Sequence, residues 1–244
     1  MKAKAFTVIA HRGASAYAPE NTFAAFDLAL EMGCNHIELD VRLTRDSQVV
    51  VSHDDTVDRT TNGSGRVEEL LLEEIQKLDA GSWKDARFAG ERVPTLEEVL
   101  AKYRGQAHLH IELKAGHPSL AEKVAKLVQP QQAERSATIV SFDSEMLKEV
   151  SEMAPSLPRG WLVRHLDHET IRETVSMNVD QLLPPARSLT PALVRLAHHG
   201  GLSVKAWATH LAADAEHVLE CGADGMIVDW PDRVKAMVED RTTG

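Results

Sequence analysis

Apolar and polar positions follow two rhythms along the chain, and their order predicts the fold. Short runs with strand character fall at about Thr7 to His11, His36 to Val41, His108 to Lys114, Ala137 to Phe142, Gly160 to Val163, Gln181 to Leu183, Ser203 to Trp207 and Met226 to Asp229. Between them lie stretches with the spacing of amphipathic helices: Thr22 to Met32, Thr95 to Tyr103, Leu120 to Val128, Ser144 to Met153, His168 to Ser176, Pro191 to His199, Ala212 to Glu220 and Pro231 to Val238. Local signals agree with these bounds. Asn21 and Asp143 are suited to cap helices, Thr190-Pro191 reads as cap and first turn, and Gly200-Gly201 as a terminator. Strand followed by helix, repeated in this way, predicts an α/β chain folded as a (β/α)8 TIM-type barrel. No Gly/Ser/Pro-rich linker or charge block divides the sequence, so residues 1–244 are expected to form a single barrel domain.

One run breaks the alternation. Gln48 to His53 has strand character, yet only about six residues separate it from the strand ending near Val41. A parallel crossover needs roughly a dozen residues or more, so the pair must be an antiparallel hairpin. A turn near Arg45-Asp46 brings His53 or its neighbour opposite Glu38. The segment that follows, at about 54–93, holds the turn residues Asn62-Gly63-Ser64-Gly65, a short acidic amphipathic piece from Glu68 to Leu78, and Trp83 and Phe88. It reads as a small capping insertion over the C-terminal rim, where the loops of such barrels carry function.

Composition narrows the partners. At 43% hydrophobic and 26% charged, the chain can bury a sizeable core. A net charge of -10 disfavours nucleic acid, whose phosphates call for clustered Lys and Arg. The apolar run near the N-terminus stops at His11, too soon for a signal peptide, and nowhere do roughly 18 apolar residues run together, so stable membrane association is not expected. Cys34 and Cys221 are far apart and outside any CxxC pattern, which fits free thiols in a reducing cytoplasm.

Candidate chemistry emerges from strand parity. Glu38 and Asp40, two residues apart on a strand, share a face with Cα atoms roughly 6 to 7 Å apart, while Ile37, Leu39 and Val41 take the other. Such carboxylates repel unless cations lie beside them, and an Arg or Lys would suffice. The strand from His108 to Lys114 shifts the balance, because Leu109, Ile111 and Leu113 share one parity and His108, His110, Glu112 and Lys114 the other. A polar stripe inside a barrel is better explained by a site collecting Glu112 with Glu38 and Asp40. Three oxygen ligands without Cys select one hard divalent cation, Mg2+ or Ca2+. His11-Arg12-Gly13 leaves the first strand where barrel catalytic residues occur, with a guanidinium suited to phosphate. His53-Asp54 adds a second histidine with a carboxylate able to orient it.

Together these residues resemble the glycerophosphodiester phosphodiesterase family of the bacterial cytoplasmic type. The resemblance rests on His11-Arg12-Gly13, Pro19-Glu20-Asn21-Thr22, Ile37-Glu38-Leu39-Asp40-Val41, Val49-Val50-Val51-Ser52-His53-Asp54, Ile111-Glu112-Leu113-Lys114, Ser141-Phe142, Trp207 and Gly225-Met226-Ile227-Val228-Asp229-Trp230-Pro231. It implies a distorted barrel in which Glu38, Asp40 and Glu112 ligate the metal and His11 and His53 serve as acid and base. Arg12 and Lys114 would hold the phosphate, and Glu20 and Asn21 would support the site. The implied reaction is metal-dependent hydrolysis of a small glycerophosphodiester to sn-glycerol 3-phosphate and an alcohol. The chain departs from the family after Trp207, where Ala208-Thr209-His210 replaces the usual Thr-x-Asn, and at Val228, where Thr is usual. These positions are expected on the far side of the pocket, where they bear on substrate preference.

The sequence does not divide the acid and base roles between the histidines, choose between Mg2+ and Ca2+, or fix the oligomeric state. Trp207 is equally suited to core packing and to a wall against substrate, and His110 to touching the site or lining its floor. A lysophospholipase D-like or other phospholipid-headgroup phosphodiesterase, and a phosphate-binding barrel without catalysis, are the competing readings. His165, His168, His198, His199 and His217 read as surface residues.

Overall fold

The computed structural model describes residues 6–129 and 136–243. Among these residues there are nine strands: β1 (Thr7–Ala10), β2 (His36–Leu43), β3 (Val49–Val51), β4 (His108–Leu113), β5 (Ala137–Ser141), β6 (Arg159–Leu162), β7 (Gln181–Leu183), β8 (Ser203–Ala206) and β9 (Gly225–Val228). Eight are parallel and close through the β9–β1 and β1–β2 pairings, giving the predicted (β/α)8 barrel. The ninth, β3, runs antiparallel to β2 with Val41 opposite Val51 and Leu43 opposite Val49. The hairpin forced by the short connection is therefore present. Ile37 is paired on both sides, with β1 at Ala10 and with β4 at Leu109, so β3 takes over the β1 edge of β2 further along the strand.

The helices are α1 (Phe23–Glu31), α2 (Leu72–Ile75), α3 (Leu96–Lys102), α4 (Leu120–Val128), α5 (Ser144–Met153), α6 (His168–Ser176), α7 (Pro191–His199), α8 (Ala212–Glu220) and α9 (Pro231–Thr243). Capping fixes several starts. Thr95 and Glu98 form a reciprocal capping box on α3, and Asp143 accepts from the backbone N–H groups of Glu145 and Met146 at the head of α5. At α1 the cap is Thr22, whose hydroxyl accepts from the Ala25 N–H. Asn21 is not the cap; its φ of 60° turns its amide inward, to a use described below. Helix α9 runs past Val238 to Thr243.

The main core lies between barrel and helices, where Ile37, Leu39 and Val41 of β2 and Leu109, Ile111 and Leu113 of β4 are all buried. Truncating a fully buried residue such as Ile111 to Ala would cost roughly 2 to 5 kcal/mol. The segment 54–93 has a smaller core of its own, in which Val57, Val67, Ile75, Ala80 and Val93 pack with Val50 of β3. It meets the β1–α1 loop through Lys84, which donates to the Ser15 carbonyl, and Arg87, which donates to that of Tyr17. Among the described residues no helix is long and apolar enough to cross a membrane.

Candidate active site at the carboxyl rim

Strand parity sets the site. The faces of β2 and β4 that bury Leu39 and Ile111 outward leave Glu38, Asp40 and Glu112 pointing into the barrel, and register places Asp40 beside Glu112. One oxygen from each carboxylate lies within 4.8 Å of the others, and all three groups are buried. Asn21 holds the central one by donating its amide to Asp40 Oδ2 at 2.9 Å. The β1–α1 loop supplies the rest. Arg12 has φ 55° and Gly13 φ 82°, and a Cβ on Gly13 would stand 2.6 Å from the Ala25 backbone, so glycine is required there. This turn aims the Arg12 backbone N–H at Glu38 Oε2, 2.9 Å away. The left-handed conformations of Arg12 and Asn21 cost about 1 to 3 kcal/mol each, strain of the kind concentrated at functional sites.

Two cations balance the acids. Lys114 Nζ lies 2.8 Å from Asp40 Oδ1 and 2.6 Å from Glu112 Oε1. Arg12 Nε is 3.2 Å from Asp40 Oδ2, and its Nη1 donates to Glu20 Oε1 at 2.6 Å. Glu20 in turn takes a bidentate contact from Arg59. The three acids respond differently. Burial, reinforced by the Asp40 charge, pushes Glu38 well above the ordinary glutamate range. Glu112 is raised for the same two reasons, with Lys114 opposing them. Burial also works against an ionised Asp40, but Lys114 and Arg12 outweigh it and hold that carboxyl below its usual range. Two buried acids resisting ionisation beside a third that is ionised form a pocket short of positive charge. An all-oxygen donor set of this charge fits a hard divalent cation.

Each histidine has its own carboxylate. His11 Nδ1 is 2.6 Å from Asp229 Oδ1, which also accepts from the Ser15 hydroxyl. Burial disfavours the imidazolium of His11, yet the Asp229 hydrogen bond and the Glu38 charge prevail and raise its pKa. His53 Nδ1 is 2.7 Å from Asp54 Oδ1. Here burial, with the charges of Lys114 and Arg12, lowers the pKa despite Asp40 and Asp54. In both rings it is Nδ1 that contacts the carboxylate, not Nε2. The His53 backbone is fixed by Arg42, whose Nε and Nη2 both donate to its carbonyl.

These groups open onto a cavity of about 190 Å³ lined by His11, Arg12, Glu38, His53, Glu112, Lys114 and Trp207. Asp40 lies buried beneath, and Glu20 and Asn21 stand behind as supports. Val140, Phe142, Leu162 and Ile227 form an apolar wall with Trp207, which meets Phe142 edge-on at 5.2 Å and donates its indole N–H to the Val163 carbonyl. Trp207 is thus both packed and facing the cavity. Thr209 and His210 line the far side, but Val228 is buried among the barrel-to-helix core and does not line the cavity. Its neighbours Ile227 and Asp229 face inward instead, as strand alternation requires. His110 lies away from this cavity, against His36 and His108.

The glycerophosphoryl diester phosphodiesterase family matches residues 11–233 of the chain. The chain belongs to this family. It is 41% identical over 235 residues to a glycerophosphodiester phosphodiesterase of Caldanaerobacter subterraneus subsp. tengcongensis, covering 95% of this chain and 97% of that protein. The structure of a glycerophosphodiester phosphodiesterase from Agrobacterium tumefaciens superposes with a TM-score of 0.84 at 36% identity, covering 95% of this chain and 99% of the other. An Oleispira antarctica phosphodiesterase, solved in complex with the product sn-glycerol-3-phosphate, superposes with a TM-score of 0.87 at 29% identity, covering 96% of each chain.

Measured against the family motifs, three groups escape sequence reasoning. Asp229 is visible as the end of the last strand motif, but its partner His11 is 218 positions away. A polar residue at the carboxyl end of a barrel strand was the available signal. Arg59, which bridges Glu20 and Asp54, lies in the irregular segment where no periodicity marks a face. Arg42 has the inward parity of Glu38 and Asp40, but nothing in that spacing predicts that it clamps the His53 carbonyl.

Proposed function

We propose that this member of the family hydrolyses small glycerophosphodiesters to sn-glycerol 3-phosphate and an alcohol, with Mg2+ or Ca2+ held by Glu38, Asp40 and Glu112. The observation that carries the reading is the junction of a buried three-carboxylate cluster with two separately partnered histidines on one cavity. A divalent ion bound there would polarise a phosphoryl oxygen and ease ionisation of the attacking hydroxyl. Arg12 and Lys114 supply positive charge to the phosphate, with Arg12 oriented by Glu20 and Asp40. His53, kept neutral, accepts the proton of the attacking water or glycerol hydroxyl at Nε2. His11, whose protonated form Asp229 favours, returns a proton from Nε2 to the departing alkoxide. Each of these roles is worth roughly 100 to 10,000-fold in rate. Trp207 and its apolar neighbours receive the remainder of the substrate.

Residues 1–244 are read as one barrel domain with 54–93 as its insertion, which braces the loop carrying Arg12 and Glu20. The free, buried thiols of Cys34 and Cys221 support a reducing, cytoplasmic setting. A second reading, hydrolysis of a lysolipid or another phospholipid-headgroup diester, draws on the apolar wall of Val140, Phe142, Leu162 and Ile227. Assaying the purified protein against glycerophosphocholine, glycerophosphoethanolamine and a lysolipid, with Mg2+ and Ca2+ in turn, separates the two. Preference for the water-soluble diesters supports the first reading, preference for the lysolipid supports the second, and turnover of none contradicts both.

A further inference from the structure

At the amino end of the same two strands, the inward parity that delivers the carboxylates delivers histidines. His36 begins β2 and His108 begins β4, and the two are register partners; His110 follows on β4 beside Glu38. Their rings form a triangle with centroid separations of 5.0, 5.5 and 4.9 Å. One ring nitrogen from each lies within 4.8 Å of the others, and His36 Nδ1 is 3.2 Å from His110 Nε2. Two imidazole nitrogens on one tetrahedral zinc, each about 2.0 to 2.1 Å from the ion, stand about 3.3 Å apart.

Two further observations distinguish the cluster from packing. His110 is fully buried and its Nδ1 has no hydrogen-bond partner, a cost that an apolar side chain of similar size would avoid. His108 Nε2 is 2.8 Å from Thr138 Oγ1, and Thr138 is in turn reached by Gln181 Nε2 at 3.4 Å. Outer contacts of this kind orient the ring of a metal-binding histidine. His36 and His108 are only partly buried, so the cluster is open to solvent at the amino end of the barrel. Lys205 of β8 is buried, and its charge acts on both His36 and His110.

We propose that His36, His108 and His110 form a second metal site, at the end of the barrel opposite the carboxylates, for a borderline transition-metal dication such as Zn2+. Imidazole donors select such ions, whereas oxygen donors select Mg2+ or Ca2+, so the two ends differ in the metal they take. The site does not depend on the proposed hydrolysis. It would tie together the amino ends of β2 and β4, the strands that carry all three carboxylates.

Co2+ is the probe, because tetrahedral, nitrogen-rich Co2+ absorbs visible light far more strongly than octahedral Co2+ bound by oxygen. Chelator-stripped full-length protein titrated with Co2+ should develop an intense visible band that saturates at about one equivalent and is displaced by Zn2+. The band should persist in a Glu38→Gln/Glu112→Gln double variant and weaken by at least tenfold in apparent affinity in His36→Asn or His108→Asn. Circular dichroism in EDTA establishes whether those two variants fold. If either does not, X-ray absorption of the zinc-loaded Glu38→Gln/Glu112→Gln protein decides, with three imidazoles in the zinc shell as the expected result. No intense band, a band that survives folded His36→Asn and His108→Asn, or a zinc shell without imidazole would overturn the site.

Discussion

The two ends of β2 and β4 carry the same geometry with opposite chemistry. At the carboxyl rim, Glu38, Asp40 and Glu112 converge; at the amino end, His36, His108 and His110 do. Both trios follow from one rule, that alternate residues of a strand share a face, and both turn polar side chains into the barrel. The difference lies in what surrounds them. The rim trio is matched with Arg12 and Lys114, backed by Asn21 and Glu20, and bordered by two histidines each with a carboxylate partner. Around the amino-end trio the groups in view are different: Thr138 meets His108 and is reached by Gln181, and the charge of Lys205 acts on His36 and His110. Three clustered ligands thus recur at both ends, and among the described residues it is the rim that sets beside them the partnered histidines and the two cations on which the proposed hydrolysis rests.

The contrast can be broken most forcefully at the rim. Changing His11, His53 or Glu112 to Ala should lower turnover at least about 100-fold with the fold retained, because each removes a role of that size; steady-state kinetics with circular dichroism checks this. Changes of His36 or His108 should leave turnover within about twofold, since they alter neither charge nor hydrogen bonding at the cavity. Asp229→Asn is expected to cost about tenfold, less than loss of the histidine itself. It should also move a limb of the pH profile. Asp229 raises the His11 pKa, and the acid form of His11 is lost as pH rises through that value. Removing Asp229 lowers the pKa, so the alkaline limb should shift to lower pH, and an unmoved limb would argue against His11 as the acid.

A stability measurement sharpens the comparison in the opposite sense. Without metal, the raised pKa of Glu38 contributes stability below the ordinary glutamate range and loses it as pH rises. In EDTA at neutral pH, Glu38→Gln should therefore raise Tm, at about 2 to 4 °C per kcal/mol recovered for a chain of this size, while abolishing metal-supported turnover. The gain should shrink on acidification, which thermal melts at two pH values would reveal. A modest effect is expected at Arg59, which is half exposed and bridges Glu20 and Asp54. Exposed ion pairs contribute about 0 to 1 kcal/mol, so Arg59→Ala should reduce kcat/KM by less than about fivefold.

Much of this architecture is legible in the amino-acid order because it depends on local rules. The helices α4 to α8 begin and end where spacing and caps predict, and the hairpin bearing His53 follows from a connection too short for anything else. What escaped depends on contacts between distant parts of the chain. Thr22 and Asn21 are both good capping residues, and only the turn at φ 60° makes Asn21 a support for Asp40 while Thr22 caps. The stripe from His108 to Lys114 reads as one polar face, but it extends over the height of the barrel, so its upper half serves the rim and its lower half joins His36. Val228, a departure from the family motif, is expected on the far side of the pocket, whereas strand alternation turns it outward into the core.

The central claim is that phosphodiester hydrolysis takes place at the carboxylate end and requires a hard cation there. Its most direct test is release of sn-glycerol 3-phosphate from glycerophosphocholine by the wild-type protein and by Glu112→Gln, each assayed in EDTA and after restoration of Mg2+ or Ca2+. The account predicts no turnover by either protein in EDTA, recovery of the wild type with at least one of the two ions, and no comparable recovery of Glu112→Gln. Undiminished release in EDTA, or full activity of Glu112→Gln, would contradict it.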